Sequence, residues 1–382
     1  MYKLLILSCN TGEGHNSAAK ALQHYAHSVG IGCDVLDSLS LRNARVSKFV
    51  SGLYDASVKL SLFSSIYALG EWYSNRKHNG KSPVYHLCKL LQGRLSQLIS
   101  DNAYDAVICT HLFPAEMLTH LRLENGLHIP AFFVSTDYTC YPFLAETVLD
   151  GYMIAHSDLT SEYAGKGIPA EKIFATGIPC LSGTMFTKNS RAEARQKILS
   201  EYWWDCRSYT GKWYMIIGGS MGFGNIEKLI YELRDSCTAD DKIICVCGKN
   251  ERLKQRLGKK FRDSSIVKVI GYTDKIPLMM DACDVLLTKP GGLTSTEAMN
   301  RGIPLVHTLP IKGVEDKNAR FYSGRNISFY SDDTKSDVKY AVKLSKEKEY
   351  RKSMLDAQKD NRILDSSRLI LDLILNRLNN KA

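Results

Sequence analysis

The sequence predicts an α/β protein built from two similar units, each a parallel sheet wrapped by helices. Their facing cleft would bind ligand at the carboxyl ends of the strands. Three observations carry this. Short apolar runs alternate with helical patterns throughout the 382 residues, which is the signature of βαβ units. The rhythm breaks within 180–210, at KNSRAEARQKILSEYWWD, and then restarts. A Gly-rich turn follows the first apolar run of each half, at NTGEGH and at GGSMGFG. A chain of this length has a soft prior of roughly two to three domains.

In the first half the expected strands are 3–8, 32–36, 105–110, 131–135 and 151–155. Between the first two, Ala18, Ala19, Leu22, Ala26 and Val29 recur at helical spacing. The second half opens on strand 213–217, followed by Ile226, Leu229, Ile230 and Leu233 on one helical face. IICVC, SIVKVIG, DVLLTK and IPLVH supply the remaining strands, separated by helix or turn signals.

The composition, 44% hydrophobic and 24% charged, is that of a soluble globular protein. No apolar run approaches the roughly 18 residues of a membrane span. MYKLLILSCN reads as a first strand rather than a signal peptide. The 11 cysteines lie mostly in apolar runs and none has C-x-x-C spacing. Reduced thiols in a cytosolic protein are therefore expected. The +10 net charge suggests an anionic partner: a nucleotide, an acidic membrane or a nucleic acid.

Residues 42–81 fit neither unit. Val46, Phe49, Val50, Leu53 and Tyr54 share a helical face, punctuated by Arg42, Arg45, Lys48, Lys59, Arg76, Lys77 and Lys81, with Trp72 and Tyr73 near the end. A basic amphipathic segment with aromatics suits a membrane interface. The same pattern also suits a helical pair packed on the sheet with a solvated basic face.

The second half carries a second Gly-rich turn, Pro290-Gly291-Gly292-Leu293-Thr294-Ser295-Thr296-Glu297. Two such turns at strand ends in one unit make anion sites suited to a diphosphate. Thr294-x-x-Glu297 also reads as a capping box, although Glu297 is equally placed to accept ribose hydroxyls. Neither turn is a P-loop, no G-x-G-x-x-G follows the first strand, and no D-x-D occurs. Charge neutralisation would fall to backbone dipoles and to Lys249 or Lys289. In the first half His15 is either a base aimed into the cleft or a residue that helps fix its turn. Asp137 is an alternative base or a group that orients the imidazole. His111 is either a pocket residue or a buried structural histidine.

The ordered set SCNTGEGHNSAAKAL, CTHLFPAE, STDYTCYPF, ATGIPC, GGSMGFGN, VCGKNERL, GYTDKIPLMMDACDVLLTKPGGLTSTEAM and PIKGVEDKNA resembles the monogalactosyl- and diglucosyl-diacylglycerol synthases. These are GT-B glycosyltransferases of family 28, and the resemblance runs from about residue 3 to about residue 325. It implies a GT-B fold of two Rossmann-like domains: 1–185 binding a lipid acceptor, 186–360 binding a UDP-sugar, and 361–382 a helix packing back on the first. Leu369, Leu373, Leu375 and Leu378 would make that last contact.

The resemblance also implies roles for individual residues. Gly219, Ser220, Gly248 and Lys249 would lie near the diphosphate and nucleotide, with Tyr272 and Ile276 near the uracil. Gly291, Gly292, Thr294, Ser295 and Thr296 would hold phosphate and ribose, and Glu297 the ribose. Glu315, Asp316 and Asn318 would face the sugar. His15 and Asp137 would be catalytic, and Gly14, Asn16, His111 and Tyr138 would bind the acceptor. The chain departs from the family at Glu13, where glycine is usual, and at Val314, where Gln is frequent.

The function implied is inverting transfer of glucose or galactose from a UDP-sugar to diacylglycerol, in glycolipid synthesis at the cytoplasmic membrane face. No metal or other cofactor is expected. The expected partners are a UDP-sugar, diacylglycerol and an anionic membrane surface, not nucleic acid. N-acetylglucosamine transfer to another lipid, a UDP-N-acetylglucosamine 2-epimerase and a non-catalytic UDP-sugar sensor are the alternatives.

Overall fold

The computed structural model describes residues 2–59, 63–76, 80–181, 188–203, 210–222 and 224–380. Of the positions singled out above, Lys77, Phe223 and parts of the interdomain join lie outside the described residues, as do the side chains of Tyr54 and Lys59. The chain divides into two compact units. One comprises Met1–Leu181, Lys312–Val314 and Ile363–Ala382; the other comprises Ser182–Ile311 and Glu315–Arg362.

In the first unit six parallel strands are β1 (Lys3–Ser8), β2 (Gly32–Asp37), β3 (Ala106–Cys109), β4 (Ala131–Val134), β5 (Gly151–Ile154) and β6 (Ile173–Ala175), in the order β2-β1-β3-β4-β5-β6. β1, β3, β4 and β5 are almost wholly buried. This is what a parallel sheet covered by helices on both faces requires. Leu4, Ile6, Ile108, Phe132 and Met153 pack with Leu22 and Ala26 of helix Glu13–Ser28. The same cluster takes Ile370, Leu371, Ile374 and Leu378 of the last helix, Ser366–Asn379. Of the four leucines named for that contact, Leu378 enters the core, while Leu373 and Leu375 pack half-buried at its edge.

The second unit has β7 (Trp213–Ile217), β8 (Lys242–Val246), β9 (Val267–Ile270), β10 (Val285–Thr288), β11 (Leu305–His307) and β12 (Phe329–Tyr330) in the order β12-β11-β10-β7-β8-β9. That is the doubly wound dinucleotide-fold order. Both sheets reverse direction beside their first strand, between β1 and β3 and between β7 and β10, opening a crevice at the carboxyl ends there.

β6 and β12 were not anticipated from the sequence. They are edge strands of three and two residues, too short to show a period and with no doubly buried face to demand an apolar run.

Segment 42–81 contains helices Ala44–Lys59 and Phe63–Ser74. Its apolar stripe divides: Val46 and Val50 are half-buried, whereas Phe49 and Leu53 are 67% and 55% exposed. The second helix turns Gly70 and Ser74 to the loop after β4, where the Phe143 amide donates to the Ser74 hydroxyl at 2.9 Å. Ile66, Leu69 and Trp72 of the same helix are exposed.

The second unit is knotted electrostatically at Asp284, which is 3% exposed. Its carboxylate accepts from the Trp213 amide (2.9 Å), Arg195 Nη2 (2.6 Å) and Arg191 Nη1 (3.0 Å). This joins the start of β10 to β7 and to helix Arg191–Tyr202. Removing one partner of a buried pair strands the other charge. Asp284→Ala is therefore expected to cost about 3–5 kcal/mol, read as a lower urea midpoint for unfolding of this unit. An unchanged midpoint would show that Arg195 finds water instead.

Candidate functional site

At the first unit's reversal the ends of β1, β3 and β4 lie side by side, with Leu7 paired to Cys109 and Cys109 to Phe133. Three loops therefore leave the sheet together. The first runs straight into helix Glu13–Ser28, so Glu13, Gly14, His15 and Asn16 all fall in its opening turn. Glu13 now has a physical place: a carboxylate in the first turn is favoured by the helix dipole.

His15 lies on this turn with Nδ1 2.7 Å from the Thr110 carbonyl oxygen and 3.0 Å from Thr136 Oγ1. A carbonyl only accepts, so Nδ1 carries the proton and Nε2 is left with its lone pair, the form a general base needs. Burial pushes the imidazole pKa down, while the Asp137 charge and the Thr110 carbonyl push it back up. Asp137, half-buried, accepts from Tyr141 Oη at 2.5 Å.

His111 sits edge-on to His15, ring centroids 4.6 Å apart. It caps helix Leu112–Asn125: its Nδ1 accepts from the Phe113 amide at 3.1 Å. Nε2–H therefore donates to Thr11 Oγ1 at 3.0 Å. Both nitrogens are committed to the chain, and burial together with the neighbouring His15 holds its pKa well below the ordinary range. The structure thus places His111 as the cap of this helix.

Asn16 likewise fastens the turn, accepting from Ser8 Oγ (2.6 Å) and donating to Asn10 Oδ1 (2.8 Å). Tyr138, expected at the acceptor, is 3% exposed. Its loop is drawn inward because Glu162 Oε1 accepts from Thr139 Oγ1 and the Cys140 amide. Thr110, Thr136 and Tyr141 were not picked out by sequence reasoning. For Thr136 and Tyr141 the signal was STDYTCYPF itself, but only tertiary contact says which of its hydroxyls meets the histidine, and Thr110 enters through its backbone carbonyl.

In the second unit the loops after β7, β8 and β10 stack. Gly248 is left-handed (φ 57°), and a Cβ there would lie 2.3 Å from the Ser220 carbonyl oxygen. The Lys249 amide donates to that same carbonyl at 2.6 Å. At Gly219 (φ 69°) a Cβ would meet Lys289 Cε at 2.7 Å. Conformation favours glycine at both positions, and at Gly248 the close backbone leaves no space for a Cβ as well. Lys289 is ion-paired with Glu315, whose other oxygen accepts from the Ile311 amide at 2.7 Å. Asn318, fully buried, donates to the Pro290 carbonyl at 3.0 Å. Glu315 and Asn318 therefore brace the β10 loop, and Asp316 lies half-buried in the same first helical turn.

Helix Gly292–Arg301 begins at Gly291 without a side-chain cap. Thr294 is inside the helix, so the capping box is not formed. First-turn amides and the dipole end are left for an anion. Ser295 and Thr296 turn inward: Ser295 Oγ meets His307 Nε2 at 2.9 Å, and Thr296 Oγ1 donates to the Gly292 carbonyl at 2.7 Å. Their hydroxyls are taken up by the core, because at helical spacing they fall on the sheet side. Thr294 and Glu297 remain half-exposed. Burial raises the Glu297 pKa to about 7, against the pull of Arg301. Tyr272, 66% exposed, lies under Lys249 with Nζ 5.5 Å from the ring centre, and Ile276 starts the next helix. Among the described residues no group of three or more His, Cys, Asp or Glu is arranged to hold a metal.

Comparison with known proteins bears on both units. Residues 15–180 match the monogalactosyldiacylglycerol (MGDG) synthase family model, and residues 214–365 match the glycosyltransferase family 28 C-terminal domain. The chain is 29% identical over 383 residues to the processive diacylglycerol beta-glucosyltransferase of Bacillus pumilus (strain SAFR-032), covering 98% of this chain and 94% of the relative. With the same-named protein of Bacillus cereus (strain ATCC 10987 / NRS 248) it shares 27% over 374 residues, 95% of this chain and 92% of the relative. The crystal structure of Acinetobacter baumannii MurG superposes with a TM-score of 0.65 at 14% identity, covering 98% and 100% of the two chains. That likeness establishes the GT-B fold.

In the folded protein the His15 ring is expected to be mostly neutral at about pH 6.5, the ordinary histidine value, with its proton on Nδ1. Long-range proton–nitrogen correlation spectra of the imidazole check this. A charged ring, or a proton on Nε2 at that pH, contradicts the geometry.

Proposed function

The chain belongs to the monogalactosyldiacylglycerol synthase and glycosyltransferase 28 family, and from that premise we propose that it transfers a hexose from a UDP-sugar to diacylglycerol, making glycolipid at a membrane surface. The observation that carries the catalytic part is the fixed tautomer of His15. The acceptor hydroxyl passes its proton to Nε2 as its oxygen attacks the anomeric carbon. A single displacement of this kind inverts that carbon.

The departing UDP gains charge as the bond to the sugar breaks. In this reading the glycine turns after β7 and β10 and the uncapped start of helix Gly292–Arg301 receive that charge. Preorganised amides do this without reorganising at the moment of reaction. Glu297 accepts the ribose hydroxyls, Tyr272 and Ile276 flank the uracil, and Lys249 and Lys289 border the diphosphate. No metal is required of such a site.

Diacylglycerol remains in the bilayer, so the enzyme meets it at the surface of the cytoplasmic leaflet. Helices 44–59, 63–74 and 83–91 support this reading. They carry seven of the fourteen large exposed apolar side chains among the described residues: Phe49, Leu53, Ile66, Leu69, Trp72, Leu87 and Leu90. Arg42, Arg45, Lys48 and Arg76 are exposed beside them. The Arg76 guanidinium covers the Trp72 ring at 3.8 Å, leaving an apolar and cationic face together. Burying each large apolar side chain is worth about 1.5–3 kcal/mol, and each basic residue near an anionic leaflet about 1 kcal/mol. The apolar contribution is the larger of the two. No helix among the described residues is long and apolar enough to cross the membrane.

Incubation with labelled UDP-glucose, UDP-galactose or UDP-N-acetylglucosamine and diacylglycerol vesicles tests the reaction. Label is expected in lipid from glucose or galactose, and His15→Ala is expected to lower the rate about 10²–10⁴-fold while UDP binding persists. Label from N-acetylglucosamine alone, unlabelled lipid, or wild-type rates in His15→Ala would overturn the corresponding part of the reading. In flotation assays the protein is expected to rise with anionic vesicles. Phe49→Asp combined with Leu53→Asp should weaken capture at least about tenfold, given the burial energies involved. Failure to bind either anionic or zwitterionic vesicles contradicts the surface assignment.

A further inference from the structure

The amino ends of β10 and β11 carry a cavity that the site described above does not use. Its volume is about 400 Å³, and Lys188, Arg191, Asp281, Arg301 and Gly302 are among the residues that line it. Asp281 precedes β10 and Gly302 precedes β11. The glycine turns proposed to hold UDP follow the carboxyl ends of β7, β8 and β10, so the two places lie at opposite ends of one parallel sheet. Arg301 forms the floor. It is 6% exposed, its Nη1 donates to Asp281 Oδ1 at 2.6 Å, and its Nε is buried with no hydrogen-bond partner among the described residues. Lys188 and Arg191 are exposed at the mouth.

Positive charge here outnumbers negative. Asp281 serves Arg301, and Asp284 is shared by Arg191, Arg195 and Arg351. Lys188 donates Nζ to the Arg301 carbonyl, which answers the carbonyl end of helix Gly292–Arg301. Glu193 is turned back on Ser190 in a capping box. Five cations thus meet three carboxylates and leave two positive charges over, before Arg362 is counted. The Lys188 ammonium registers the crowding. Partial burial lowers its pKa, and the charges of Arg301, Arg362 and Arg191 lower it further against the pull of Asp281. Helix Arg191–Tyr202 also begins here, and the positive end of its dipole adds to the same sign. A buried guanidinium N–H is costly unless something accepts from it.

We propose that this cavity is a second anion site of the protein, separate from the donor turns, and that it takes a phosphate group. A phosphate monoester carries roughly 1.5–2 negative charges near pH 7, which balances the excess. Its oxygens accept from Arg301 Nε at the floor and from Lys188 and Arg191 at the mouth, as charge-assisted bonds. The group comes either from a free phosphate in solution or from the headgroup of a phosphate-monoester lipid, which presents the same oxygens. The site does not depend on the sugar transfer proposed above.

Two arms test it on the full-length protein, both at saturating UDP so that the donor turns are occupied. The first is calorimetric titration with inorganic phosphate. The second is flotation with vesicles carrying a phosphate-monoester lipid, against vesicles of equal charge without one. A free-phosphate site is expected to give a saturable isotherm, and a headgroup site preferential capture by the monoester vesicles. Lys188→Gln combined with Arg191→Gln should weaken whichever is seen about tenfold or more. Lys188→Gln alone leaves the Arg191–Asp284 pair intact and should give part of that loss. Lys335→Gln combined with Lys339→Gln removes the same charge from the exposed side of helix Thr334–Lys346 and should change neither arm. No isotherm together with no vesicle preference, wild-type values in the cavity variants, or an equal loss in the control variant would each overturn the site. Absence of UDP binding would count against the donor reading alone, because the loss in the cavity variants still reports the cavity.

Discussion

The hydrogen bond from His15 Nδ1 to the Thr110 carbonyl, 2.7 Å long, is the constraint on which the arrangement at the end of the first sheet depends. It is a side chain from the helix turn that follows β1 meeting backbone just past the end of β3. It exists because the sheet reverses there, placing β1 between β2 and β3. A different strand order would leave the same histidine on the same helix turn with no acceptor for Nδ1, and its tautomer undetermined. Burial then favours the neutral ring, with the lone pair on Nε2.

The second unit solves a different problem with the same architecture. At its reversal, between β7 and β10, the loops present mostly backbone. Gly248 lets the loops after β7 and β8 approach within a distance that any Cβ would forbid. The helix that follows β10 starts without a side-chain cap. Around this backbone surface the charged residues mostly serve as braces. Glu315 holds Lys289 and the Ile311 amide, and Asn318 holds the Pro290 carbonyl. A buried polar side chain committed to backbone in this way sets loop shape, and loop shape sets where the amides point.

Helices 44–59 and 63–74 show how one amphipathic pattern divides its labour. Gly70 and Ser74 meet the loop that carries Asp137 and Tyr141, while Phe49, Leu53, Ile66, Leu69 and Trp72 remain outside. In the proposed function, helix 63–74 thus meets lipid on one side and braces the loop after β4 with the other.

The amino-acid sequence by itself determined the two parallel sheets and ten of their strands, because a strand buried on both faces must be a continuous apolar run. It also determined the Gly-rich turns at strand ends and the presence of His15, Asp137 and Glu297 near them. It was silent on β6 and β12, edge strands too short to carry a period. Only the tertiary structure decided which side chains of a motif face outward. Ser295 and Thr296 belong to the core, His111 to a helix cap, Asn16 to its own turn and Tyr138 to the interior, although all lie within the motifs that suggested a site. Only it revealed Thr110, Thr136 and Tyr141 around His15. The physical reason is the same in each case. Periodicity reports what one segment needs to bury, whereas a hydrogen bond between residues 95 or 121 positions apart depends on which strands lie side by side.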